Sequence, residues 1–81
     1  MRIRQDSKKF NIGNNIRRIR KENHLTQEQT VAKMQLLGVD ISRGTYSQIE
    51  CGIANIRVQD LLALSQIFNV QINDFFEGIE L

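Results

Sequence analysis

At 81 residues the chain makes a single domain, and folding at this size hides only about 60% of the surface that the unfolded chain exposes, so one small core is all it can hold. Hydrophobic residues make up 41% and aromatics 6%, with Ile, Leu and Val predominating, a balance that excludes a disordered tail. The formal net charge of +2 conceals an uneven distribution: Arg2, Arg4, Lys8, Lys9, Arg17, Arg18, Arg20 and Lys21 crowd the first quarter, while Asp60, Asp74, Glu77 and Glu80 mark the end. Such a basic half is either a solvated face or the footprint of an anionic partner.

The lone Cys51 excludes an internal disulfide and favours a reducing compartment, and with His24 as the one histidine there is no metal-ligand spacing. No apolar run approaches the roughly 20 residues needed to cross a bilayer, and the start MRIRQDSKK is not followed by the apolar segment of a signal peptide. The expected location is the cytoplasm, with no membrane contact. No nucleophile–base pair or Gly-rich phosphate loop is present, so an enzyme is not expected and neither is a cofactor.

Proline is absent, and glycine, asparagine and hydroxyl residues punctuate a chain that reads as all-helical. Residues 1–10 form a basic N-terminal arm, which either follows a nucleic-acid backbone or minor groove or is a disordered tail; residues 11–81 form the domain. Ile12, Ile16 and Ile19 recur at the spacing of one helical face, predicting a first helix over residues 11–23. Asn23 and His24 close it, His24 standing where a helix C-terminus takes a residue tolerant of positive φ.

Thr26-Gln27-Glu28-Gln29 has the pattern of a capping box, opening a second helix that runs to about residue 37 before Gly38. Ser42 caps a third helix, which Gly52 ends. A fourth helix over residues 58–68 offers Val58, Leu61, Leu62, Leu64 and Ile67 to the core. Asn73 caps a short fifth turn carrying Phe75 and Phe76, and Val70 and Ile72 are too isolated to make a sheet.

The segment DISRGTYSQIECG is unusually polar for a helix in so small a protein. A helix that enters the major groove needs a thin first turn, side chains carrying both donors and acceptors, and apolar residues anchoring it from behind. Arg43, Gly44, Thr45, Ser47 and Gln48 satisfy the first two conditions, and Tyr46 and Ile49 the third.

With IRRIRKENHLTQEQ, SRGTYSQIECG and LLALSQIFNVQINDFF as milestones, residues 12–76 resemble the phage repressor/Cro-type helix-turn-helix DNA-binding domain, the xenobiotic-response-element family. The resemblance implies an all-α, lambda-repressor-like bundle of about five short helices containing a helix-turn-helix. It also implies a sequence-specific transcriptional regulator of double-stranded DNA, a repressor in the commonest form, acting as a homodimer. Gln27 would hold a phosphate and brace the recognition helix, with Thr26 helping through its backbone amide. Arg43, Gly44 and Gln48 fall on positions that reach base edges, with Thr45 and Ser47 beside them. Arg20 and Glu50 would form a largely internal, structural ion pair.

Residue 44 being glycine has two readings: the backbone approaches DNA closely there, or nothing is read at that position. Cys51 is read as an ordinary structural thiol ahead of a redox sensor. Phe75, Phe76, Ile79 and Leu81 are the candidate surface for self-association, although Phe75 could equally close the core.

The chain also departs from the pattern of that family. Gln27 and Glu50 lie farther apart than usual, the extra residues falling in KMQLLGVDIS, so the turn is enlarged. Thr30 and Val31 replace a leucine and an alanine, which requires a rearranged approach of the two helices, and Ile56 and Arg57 stand where a proline is common. The enlarged turn and Gly44 keep a different class of function open, a protein-interaction module or antitoxin-like domain with an unidentified protein partner.

Overall fold

The computed structural model describes residues 2–3 and 12–79. Four α-helices follow one another, α1 (Gly13–Glu22), α2 (Gln27–Leu36), α3 (Arg43–Glu50) and α4 (Val58–Phe68), and a 3-10 turn at Ile72–Phe76 takes the place of the expected fifth helix. Asn11 and the rest of the arm between residues 4 and 10 lie outside the described residues.

Local chemistry sets most of the boundaries. His24 takes φ +58° and turns the chain out of α1. Thr26 Oγ1 accepts from the Gln29 backbone N–H at 3.0 Å, and Gln29 Oε1 accepts from the Thr26 N–H at 2.9 Å, so both halves of the capping box form. Past the end of α2, Gly38 holds φ +85°, a conformation that a Cβ would strain. Ser42 Oγ accepts from the Thr45 N–H at 3.1 Å and starts α3. The 3-10 turn is capped differently from the expectation at Asn73: the Asp74 carboxylate accepts from the Gln71 N–H at 2.9 Å, which leaves Asn73 inside the turn.

The core is Ile12, Ile16 and Ile19 from α1 and its entry, Val31 and Met34 from α2, Tyr46 and Ile49 from α3, and Leu61, Leu64 and Phe68 from α4. Phe75 is fully buried and meets Phe68 edge-to-face with ring centroids 6.4 Å apart, so it closes the core and leaves the proposed self-association surface. Phe76 and Ile79 are half-buried against the same core, and Leu81 lies outside the described residues. On α4 the expected core set needs two exchanges: Leu62 is 50% exposed and Val58 only half-buried, while Ala63 and Phe68 are buried.

Two elements tie α1 and the turn to their neighbours. Asn15 Nδ2 donates to the carbonyls of Phe75 and Glu77, both at 2.9 Å, fastening α1 to the C-terminal turn. The enlarged connection between α2 and α3 is fastened as well. Val39 and Ile41 are buried, Gln35 Nε2 donates to Ile41 O at 3.1 Å, and Arg57 Nη2 donates to Asp40 O at 3.1 Å. Arg57 is itself held by the buried Asp60, whose carboxylate accepts from the Arg57 guanidinium at 3.0 Å and from its backbone N–H at 3.0 Å. It is half-buried in this network.

The all-helical reading misses a two-stranded antiparallel pair, β1 (Arg2–Ile3) with β2 (Ile56–Arg57), in which Arg2 lies opposite Arg57 and Ile3 opposite Ile56. Strands of two residues leave no periodicity to detect. The start of the N-terminal arm is thus paired to the segment leading into α4.

Candidate nucleic-acid interface

Helix α3 divides cleanly into two faces. Tyr46, Ile49 and Glu50 are buried, spaced three and four apart so that they share one side. On the other side Arg43, Gly44, Thr45 and Gln48 are exposed and Ser47 is half-buried. The polar leading turn is free of the bundle: the Arg43 side chain is 63% exposed, and the connection after α2 does not cover it or Gln48. Ser42 Oγ donates to Thr45 Oγ1 at 3.0 Å, which leaves the Thr45 hydroxyl hydrogen available to an outside acceptor.

Behind that face a buried ionic network joins three helices. Arg20 of α1 binds Glu50 of α3 through two parallel hydrogen bonds, Nε to Oε2 at 2.7 Å and Nη2 to Oε1 at 3.1 Å. Its remaining terminal nitrogen, Nη1, donates to Leu25 O at 2.8 Å, in the connection ahead of α2. Gln27, the first residue of α2, donates through Nε2 to Glu50 Oε1 at 3.0 Å. The fork-to-carboxylate geometry matches the planar donors of arginine, which is why lysine would not substitute. The hydrogen bond to Glu50 pushes the Arg20 pKa up against the opposing effect of burial. For Glu50, burial raises the pKa, but interactions with Arg20, Tyr46 and Gln27 outweigh it, and the carboxyl stays below its ordinary range. The Tyr46 hydroxyl is buried beside this pair and interacts with Glu50, and burial first, then that contact, lifts its pKa far above the ordinary phenol value.

Gln27 is half-buried and Thr26 exposed, so the N-terminus of α2 opens to solvent on the same side as the leading turn of α3. Lys21, His24, Thr26, Gln27, Glu28 and Arg43 surround a shallow hollow of about 660 Å³ between them. Unpaired amide N–H groups and the positive end of the helix dipole suit such a place to phosphate. The chain matches the family model described as helix-turn-helix over residues 16–75. It belongs to the xenobiotic-response-element family of helix-turn-helix proteins.

That family comprises DNA-binding regulators and not enzymes. The chain matches no curated protein and no solved structure. No described helix is long and apolar enough to cross a membrane. Within this helix-turn-helix the long turn changes the path between α2 and α3 but still brings Gln27 to Glu50. Thr30, where a leucine is usual, is fully buried, and its hydroxyl donates to Thr26 O at 2.9 Å, which lets a polar residue sit in the α2 seam.

The bond from Gln27 to Glu50 is the brace to α3 that the family resemblance implied. Two features went unseen in the sequence: Glu28 lies 3.4 Å from Arg43, and Gly13 sits where α1 meets α3. Only Gly13 carried a signal, being a poor helix former at the head of an otherwise well-patterned helix.

Gly44 has ordinary helical geometry, and a Cβ there would meet nothing closer than Ser42 Oγ at 3.9 Å. The fold therefore does not require glycine at this position. Gly44→Ala should raise stability by about 0.4–1 kcal/mol by restricting the unfolded chain, readable as an upward shift in Tm. DNA affinity should stay unchanged if nothing is read at residue 44. A variant that gains stability and loses binding would instead show that the backbone there comes close to a duplex.

Proposed function

We propose that this helix-turn-helix domain is a sequence-specific regulator of transcription, acting as a repressor, that lays the leading turn of α3 in the major groove of double-stranded DNA. The exposed polar face of α3, backed by the buried Tyr46, Ile49 and Glu50, is the observation that carries this reading. Arg43 offers two donors to guanine and Gln48 an amide to adenine. Thr45 and Ser47 contact bases or phosphates beside them. Gln27 holds a phosphate at the start of α2; Thr26 can join it through its exposed hydroxyl and not through its backbone N–H, which the Gln29 side chain already takes. Gln27 keeps one Nε2 hydrogen on Glu50, and its second is free for a phosphate oxygen.

The regulator works in the cytoplasm as a homodimer on two half-sites about 34 Å apart. Phe76 and Ile79 remain candidates for the dimer contact, now without Phe75.

Selection of bound duplexes from a random pool tests the reading, because it reports preferred bases and half-site spacing together. Arg43→Ala should cost about 1–3 kcal/mol at one base position, whereas Gln27→Ala should weaken all duplexes alike and leave the salt slope unchanged, because an amide neutralises no phosphate charge. The reverse pattern would exchange the two roles. A second reading, a protein-interaction module, draws on Leu36, which is 87% exposed beside Leu37 in a groove also lined by Lys33, Gln66 and Ile67. Affinity for duplex DNA that does not fall with salt would favour that reading.

A further inference from the structure

We propose that Glu28 is a specificity-determining residue, which holds Arg43 away from the sugar-phosphate backbone and so reserves it for a base edge. This rests on the DNA-reading role of α3 proposed above. Glu28 lies in the first turn of α2, and its Oε1 stands 3.4 Å from Arg43 Nη1, across the enlarged turn. Both side chains are largely exposed, at 72% for Glu28 and 63% for Arg43, so solvent screens the pair and it adds little to the fold. Any acid in this first turn would complement the helix dipole. Glu28 is the one whose carboxylate reaches the leading residue of α3.

The setting makes this charge conspicuous. Among the residues around the hollow at the start of α2, which include Lys21, His24 and Arg43, Glu28 is the sole carboxylate. A surface built only to adhere to phosphate would gain by having none. A phosphate closing on the open side of the Arg43 guanidinium must lie near the Glu28 carboxylate, a like charge that repels it. Guanine O6 and N7 are neutral acceptors and meet no such repulsion. The contact is made at Nη1, and the Nε and Nη2 side of the guanidinium can serve as a fork for a base. Glu28 thereby discriminates against the backbone contact, a means of specificity that works by penalising the wrong complex.

The test compares wild type, Glu28→Gln, Arg43→Ala and the double variant on the selected duplex and on an unrelated duplex, across a salt series. Glu28→Gln should keep its Tm within a few degrees, since the side chain is exposed. It should bind the unrelated duplex about 3-fold to 10-fold more tightly, with a salt slope steeper by about one unit as Arg43 turns to a phosphate. The selected duplex should gain less, so the ratio of specific to non-specific affinity should fall about 3-fold or more, with the lost discrimination concentrated at the base that Arg43→Ala also relaxes. In the Arg43→Ala background the same substitution should leave base preference unchanged. A ratio that stays at the wild-type value, or a loss spread over every base position, overturns the proposal. Wild-type protein with neither base preference nor salt dependence would bring down the DNA reading itself, and this inference with it.

Discussion

Glu50→Ala is expected to act mainly on folding, removing about 3–5 kcal/mol of stability. The Arg20 side chain is 10% exposed and that of Glu50 2% exposed, so deleting the carboxylate leaves a guanidinium buried with two of its nitrogens unpaired. Gln27 Nε2 loses its acceptor in the same step. A domain of this size has a total stability of only about 5–15 kcal/mol, and at the lower end the loss consumes most of it. Thermal melting followed by circular dichroism checks the prediction. A Glu50→Ala protein that melted like wild type but had lost DNA binding would make Glu50 a contact residue and not a structural one.

Acid titration supplies an independent reading of the same group. Because the folded state holds the Glu50 pKa below its ordinary value of 4.5, the folded protein binds this proton less readily than the unfolded chain. Its contribution is therefore complete above about pH 4.5 and disappears as pH falls through the folded-state pKa. Wild type should lose stability over that acid range, and a Glu50→Gln variant that still folds should lose correspondingly less.

What the residues by themselves made legible was local; the long-range Arg20–Glu50 pair and the brace from Gln27 came from the family resemblance. Thr26 and Gln29 bond to each other's backbone across three residues, and His24 adopts its φ of +58° beside the helix that it ends, so both features are written where they act. The polar and apolar faces of α3 were legible for the same reason. Leu62 and Ala63 exchange places because a helix with apolar residues on adjacent positions does not specify which of them faces inward; the packing of α2 and the 3-10 turn decides that. The pairing of β1 with β2, the bond from Gln27 to Glu50 and the Glu28–Arg43 pair join segments far apart in sequence. Each depends on the path of a turn that periodicity cannot describe.

Gly13→Ala is the second large effect, an expected loss of about 3 kcal/mol despite alanine being the better helix former. A Cβ on Gly13 would lie 2.2 Å from Ile49 O and 2.7 Å from Glu50 O, both backbone atoms at the end of α3. Side chains can swing aside for an added methyl, and overpacking then costs about 1–3 kcal/mol; a carbonyl in a helix cannot, so the two helices must separate. The gain in helix propensity, at most about 1 kcal/mol, does not offset this. Separation is costly here because the same seam holds the Arg20–Glu50 pair, whose shorter bond is 2.7 Å. For a domain of this length the loss should lower Tm by roughly 12–24 °C. The contrast with Gly44 sharpens the test, since the same substitution one helix face away is expected to stabilise. A Gly13→Ala protein melting at or above the wild-type temperature would mean that α1 and α3 are not in close backbone contact. The buried Arg20–Glu50 network could then not be what sets the angle at which α3 is presented.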